Sequence, residues 1–166
     1  TAVQTIISRR LNPFDIGVIT IGSFDGKGQF NVIKDAVELE GDIRYMTNEV
    51  KATIEKEVKR LVSGLEAEFG VTCELTYEND YPPVYNDPEV TAKVVEYLNN
   101  ANDKDITAVK EFPALPPSED FAYYAEKFPS CFFYIACSPK GVEKPYFNHH
   151  PKFDIDEDAL LVAAKA

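Results

Sequence analysis

Ala36-Val37-Glu38-Leu39-Glu40-Gly41-Asp42-Ile43-Arg44-Tyr45 is the stretch on which the fold of this chain turns. Val37, Leu39, Gly41, Ile43 and Tyr45 take one face; Glu38, Glu40, Asp42 and Arg44 take the other. A strict period of two predicts a half-buried antiparallel strand. Directly afterwards the period changes. Val50, Ile54, Val58, Leu61, Val62, Leu65 and Phe69 recur at helical spacing and form one apolar stripe. Thr47 or Asn48 can cap the start of that helix, Glu49 suits its first turn, and Gly70 suits the left-handed position just past its end.

Upstream, residues 18–24 are rich in β-branched side chains and predict a second strand. Asp25-Gly26-Lys27-Gly28 reads as a turn between strands. Residues 1–9 read as the last turns of a helix, with Ala2, Ile6 and Arg9 near one face, ended by Asn12-Pro13. That helix has an end but no capped beginning, which predicts a longer parent protein. Downstream, residues 71–78 alternate again, with Val71, Cys73, Leu75 and Tyr77 on one side. The order helix, strand, strand, helix, strand needs one more strand in front to give βαββαβ. The expectation is therefore an α+β fold: an open-faced antiparallel sandwich lacking its first strand, over residues 1–80.

The proline-rich run Tyr81-Pro82-Pro83-Val84-Tyr85-Asn86-Asp87-Pro88 marks a boundary. Residues 81–166 are expected to form a second, α/β piece. Residues 89–100 carry a helical stripe of Val90, Val94, Val95 and Leu98, and 106–112 read as a strand. Ser118-Glu119-Asp120 looks like a helix start for 121–127. Cys131-Phe132-Phe133-Tyr134-Ile135-Ala136-Cys137 has the length and apolarity of a strand buried on both faces, and a last helix starts near Asp156.

Of 166 residues, 45% are hydrophobic and 27% charged, as in a globular protein with a core. The net charge of -11 argues against nucleic acid and anionic membrane surfaces as partners, since phosphates would be repelled. No apolar run is long enough to span a bilayer. The N-terminus lacks a basic region followed by an apolar stretch, so no signal peptide is expected. Cys73, Cys131 and Cys137 have no CxxC spacing, and the latter two sit in an apolar run as small hydrophobes. The set fits a reducing cytoplasm.

Both histidines of the chain, His149 and His150, are adjacent. Neighbours in an extended segment point to opposite sides, so the two are not expected to grip one metal together. A zinc site needs three or four ligands, and no HxH, HExxH or Cys/His spacing supplies them. Ordinary loop histidines and a metal role both remain open on the residues alone. Arg44 is either one partner in a solvated charged face or a guanidinium able to clamp a carboxylate with two hydrogen bonds. Asn31 can offer an amide to a ligand or simply cap a turn.

Taken together and in order, several segments resemble the aminoacylase-type metallopeptidases, in the branch of hippurate hydrolase, N-acyl-amino-acid amidohydrolase and auxin-conjugate hydrolase. They are Val18-Ile19-Thr20-Ile21-Gly22, Phe30-Asn31-Val32-Ile33-Lys34-Asp35, residues 37–44, Tyr81-Pro82-Pro83, Ser118-Glu119-Asp120-Phe121 and His149-His150-Pro151-Lys152-Phe153-Asp154. The resemblance implies most of a lid, or dimerisation, domain followed by the C-terminal part of a catalytic domain. It implies His149 as a metal ligand, with His150 at a variable neighbouring position. It implies Asn31 and Arg44 as binders of the substrate carboxylate, and Ser118 beside the acyl or backbone part of the substrate. The family usually has glycine at the position of Ser118 and proline at that of Lys34.

The same resemblance implies two divalent metal ions (zinc, manganese, cobalt or nickel) per intact site, a homodimer formed through the lid, and substrates that are N-acyl amino acids or small peptides. Cleavage would give a carboxylic acid and an amino acid. The remaining metal ligands and a glutamate base belong to a half of the enzyme that does not match this chain, so no hydrolysis is expected from it alone. The rival reading is a non-catalytic α+β module for dimerisation or binding.

Overall fold

Strands β1 (Gly17–Asp25) and β2 (Glu38–Tyr45) pair antiparallel, with Ile19 opposite Ile43 and Val18 opposite Arg44. The register shifts by one residue between Ile21 and Ser23, a bulge centred on Gly22. The bulge matters for patterning. It lets Phe24 pair with Leu39, so β1 presents Ile19, Ile21 and Phe24 to the apolar side although their spacing is not strictly two. Opposite Ile21 sits Gly41, where a Cβ would lie 2.6 Å from the backbone oxygen of Thr20. Only glycine allows that approach without moving the strand.

These strands belong to the computed structural model of the chain, which describes residues 2–101 and 103–166. The other elements are α1 (Gln4–Arg10), α2 (Asn48–Phe69), α3 (Pro88–Asn100), α4 (Ala122–Ala125) and α5 (Asp158–Lys165). The chain divides into two units: residues through Pro83 together with Leu115–Glu119, and Val84–Ala114 together with Asp120–Ala166.

In the first unit, α1 and α2 lie over one end of the sheet. Ile6, Ile19, Val50 and Ile54 form the buried centre, with Leu11, Ile43, Tyr45, Val58 and Leu61 packed around it. Gln4 Nε2 donates to the Ile19 carbonyl at 2.9 Å, and Arg10 pairs with Glu57 at 3.4 Å, fixing α1 to both β1 and α2. Expected position Thr1 of the first helix lies outside the described residues. Thr47 caps α2 by accepting from the Val50 N–H, and Gly70 closes it in the left-handed region at φ 65°. The apolar stripe is used unevenly. Val50 and Ile54 are buried, whereas Leu65 and Phe69 at the far end of α2, and Phe24 and Leu39 at the far end of the hairpin, remain exposed.

Three expected strands do not form. Residues 71–78, 106–112 and 131–137 carry no strand. Alternation or apolarity becomes a strand only against a neighbour that completes the ladder. Instead, the Cys73 N–H donates to Glu66 Oε1 at 2.9 Å, and Ile106 N–H closes a turn onto Asp103 O. Cys131, Phe132, Ile135 and Cys137 are half-buried and Phe133 and Tyr134 exposed, so that run is not covered on both faces. The three cysteines are free and half-buried, less enclosed than an apolar run implies. The sheet thus has two strands where three were expected.

In the second unit, Asp87 caps α3 by accepting from Glu89 N–H and Val90 N–H, both at 3.0 Å. Pro88 occupies the first helical position, where a missing N–H costs nothing. Ser118 does not start a helix. α4 is one turn long, entered through Asp120 O accepting from Tyr123 N–H. Lys165 on α5 holds Asp103 and Asp105, at 2.9 and 2.5 Å. No helix among the described residues is long and apolar enough to cross a membrane.

Candidate functional site

The polar side of the hairpin carries Thr20, Ser23 and Asp25 from β1 and Glu38, Glu40, Asp42 and Arg44 from β2. An open hollow lies at the bulge, lined by Thr20, Gly22, Ser23, Glu40, Gly41 and Asp42. Arg44 stands at one end of this side, half-exposed. Its Nε donates to Asp42 Oδ2 at 2.7 Å, two residues along the same strand. Its Nη1 donates to the carbonyl of Pro116 at 3.2 Å. Pro116 belongs to the 115–119 segment that the fold includes in this unit, so the guanidinium is tied to the loop that carries Ser118. The sequence places Arg44 and Ser118 far apart; the structure joins their neighbourhoods.

Asn31 is also in the first unit, exposed, within a turn closed by Val32 N–H donating to Gln29 O at 3.1 Å. The 26–37 connection is fastened by Lys34 Nζ to Asp25 Oδ1 at 3.2 Å. This ion pair restrains the loop at Lys34.

His149 belongs to the second unit and is exposed. Its φ is 70°, the one positive value outside glycine among the described residues. Histidine tolerates that region better than most side chains, but holding it there still costs on the order of 1 kcal/mol, and such strain gathers at functional positions. His150 next to it is stacked on Tyr146, ring centroids 4.1 Å apart and planes 11° from parallel. Its Nδ1 accepts the Lys152 N–H at 3.0 Å. Nothing in the spacing of the sequence singles out Tyr146; its position four residues before a histidine is the only signal present.

Among the described residues, no group of three or more His, Cys, Asp or Glu is placed to hold a metal ion. One exposed imidazole is short of the three or four donors a zinc site takes. The described residues therefore do not form a metal site by themselves.

The chain belongs to the peptidase family M20/M25/M40, whose sequence profile matches residues 7–166. It is 38% identical over 165 residues to YhaA of Bacillus subtilis (strain 168), a protein named as an amidohydrolase, covering 99% of this chain and 41% of that one. It is 34% identical to an N-acetyldiaminopimelate deacetylase of Streptococcus thermophilus (strain CNRZ 1066), over 98% of this chain and 41% of the relative. A crystal structure described as an aminohydrolase from methicillin resistant Staphylococcus aureus matches with a TM-score of 0.89 and 57% identity, over 99% of this chain and 41% of that one. The chain thus spans about two-fifths of the length of these relatives.

Proposed function

We propose that this chain is the lid and C-terminal portion of a metal-dependent amidohydrolase that cleaves the amide bond of N-acyl amino acids or small peptides. The observation that carries the reading is Arg44: an exposed guanidinium on the polar side of a small sheet, bonded to the loop that bears Ser118. Family membership over residues 7–166 supports the reaction class. In this reading Arg44 and Asn31 hold the free carboxylate of the substrate, which orients the scissile amide. Ser118 lies by the acyl or backbone part. His149 supplies one imidazole to a divalent metal (zinc, manganese, cobalt or nickel), with the other ligands coming from outside this chain. Residues 1–80 are the lid, an α+β unit with the element order αββα, and the enzyme dimerises through it; 81–166 belong to the catalytic domain of a cytoplasmic enzyme. The non-catalytic module reading is not favoured, because the relatives over this whole span are named for hydrolysis.

The test uses the longer enzyme that contains this segment. Arg44→Ala is expected to raise KM for an acyl amino acid with a free carboxylate and to leave KM for its carboxamide analogue unchanged. Equal effects on both substrates would remove Arg44 from carboxylate binding. The chain alone is expected to hydrolyse no hippurate with or without added metal, and robust metal-dependent cleavage would refute the division of labour.

A further inference from the structure

We infer that His150 is a positioning residue for His149: it holds the turn whose conformation sets how the His149 imidazole leaves the chain. The inference rests on the reading of His149 as a metal ligand. Four attachments converge on His150. Its N–H donates to the Phe147 carbonyl at 3.2 Å, and its carbonyl accepts from the Phe153 N–H at 2.9 Å. Its Nδ1 accepts from the Lys152 N–H at 3.0 Å. Its ring face lies on Tyr146, while Lys152 Nζ sits 5.8 Å from the same tyrosine ring centroid. Two consecutive turns, 147–150 and 150–153, therefore share this one residue.

His149 is the residue inside the first turn. The peptide plane that follows it contains the His150 N–H, and that N–H is bonded to Phe147 O. That bond is a backbone one that any residue could make; what the His150 side chain adds is the Nδ1 bond from Lys152 N–H and the stack on Tyr146, which steady this plane and with it the His149 backbone at φ 70°. The side chain of a residue in the left-handed region leaves the chain in a direction that neither a strand nor a helix offers. A bystander side chain would lack the Nδ1 bond and the ring stack, and an extended segment would not contain the two turns. The local structure is organised around His150, and His149 is the residue it presents.

Two measurements test this. In the chain itself, NMR should show the strong intraresidue amide-to-α-proton contact of a positive φ at His149. That signal should fall to the weaker intensity of a negative φ in His150→Ala, which loses the Nδ1 bond and the Tyr146 stack, and recover in His150→Asn, whose Oδ1 can accept the Lys152 N–H. Persistence of the signal in His150→Ala would overturn the inference, without touching the assignment of His149. In the longer enzyme, zinc affinity is read by competition with a chromophoric chelator. His150→Ala should weaken it by about tenfold or more, the scale seen when support for a ligand is removed. His150→Asn should recover most of the loss, while apo-protein melting separates this from a folding defect. If His149→Ala weakens zinc binding and His150→Ala does not, the positioning role is wrong and the ligand assignment stands. If His149→Ala leaves zinc binding unchanged, the ligand assignment fails and takes this inference with it.

Discussion

The side-chain amide of Asn86 pairs with the backbone of Phe132 on both its groups: Nδ2 donates to Phe132 O at 2.8 Å, and Oδ1 accepts from Phe132 N–H at 2.7 Å. This is the two-bond exchange that a residue on a neighbouring strand would make in an antiparallel ladder. The next residue, Asp87, donates its N–H to Ser130 O at 2.8 Å and caps α3 with its carboxylate. One tripeptide, Asn86-Asp87-Pro88, therefore starts a helix and secures an unpaired apolar segment. Asn86→Ala should lower the stability of the chain by about 1 kcal/mol, the net worth of bonds that are largely exposed. Asn86→Asp should do the same, because its carboxylate can accept but cannot donate to the Phe132 carbonyl. Urea unfolding of the two variants checks this; an unchanged midpoint in both would mean that water serves the Phe132 backbone equally well.

Tyr77 hides its hydroxyl in the first unit with no hydrogen-bond partner among the described residues. Burial pushes its pKa up, and the Glu55 carboxylate adds to the effect. A buried hydroxyl without a partner loses about 1–3 kcal/mol of hydration that nothing returns. Tyr77→Phe keeps the ring, which faces Lys59 Nζ at 6.0 Å, and removes the orphaned oxygen. The variant should melt at a higher temperature than the parent chain. A lower melting temperature would show that the hydroxyl has a partner after all.

Lys165 links the end of α5 to the connection after α3, and its pH response has a definite sign. Hydrogen bonds that Lys165 donates to Asp105 and then Asp103 raise its pKa, so its contribution is present below the ordinary lysine value and lost as pH rises through the raised one. The Asp103 pKa is lowered, first by the Asp105 N–H and then by Lys165. Its contribution is present above the ordinary aspartate value and lost as pH falls through the lowered one. Lys165→Met should therefore be less stable than the parent at neutral pH, and the gap should close both in strong acid and in strong base. Both ends are solvated, so 1 M salt should also narrow it. Unfolding midpoints measured across pH decide the matter: a gap independent of pH would assign the loss to packing.

The central part of the fold was legible because its signals are local. Alternation over residues 37–45, the helical stripe from Val50, the Thr47 cap and the Gly70 terminator each act within a few residues; the structure has the strand, the helix, the cap and the terminator, and buries the stripe at Val50 and Ile54 while Leu39, Leu65 and Phe69 stay exposed. The failed strands failed for a different reason. Residues 71–78 have the alternation of a strand, but alternation records which side is apolar and says nothing about whether a neighbour is in reach. Resemblance alone singles out Arg44 and Ser118 as candidates, and it says nothing of the bond from Arg44 to Pro116, which spans 72 positions. The histidine pair shows the converse: its reading as an extended segment misses the left-handed backbone of His149, which leaves no periodic trace in the sequence.

Asp42 takes the Arg44 guanidinium that the proposed substrate carboxylate would use. The two side chains are about half-exposed, at 47% and 58%, and the Nε–Oδ2 contact is 2.7 Å. An exposed pair of this kind contributes 0 to about 1 kcal/mol, so an incoming carboxylate with bidentate geometry can displace it. If Arg44 binds the substrate carboxylate as proposed, Asp42 is its resident competitor. In the longer enzyme, Asp42→Asn should lower KM for substrates with a free carboxylate by up to about fivefold, the equivalent of about 1 kcal/mol. It should leave carboxamide analogues unaffected. A rise in KM for the free acids would show the opposite relationship, in which Asp42 orients the guanidinium for the substrate and must stay bonded while it binds.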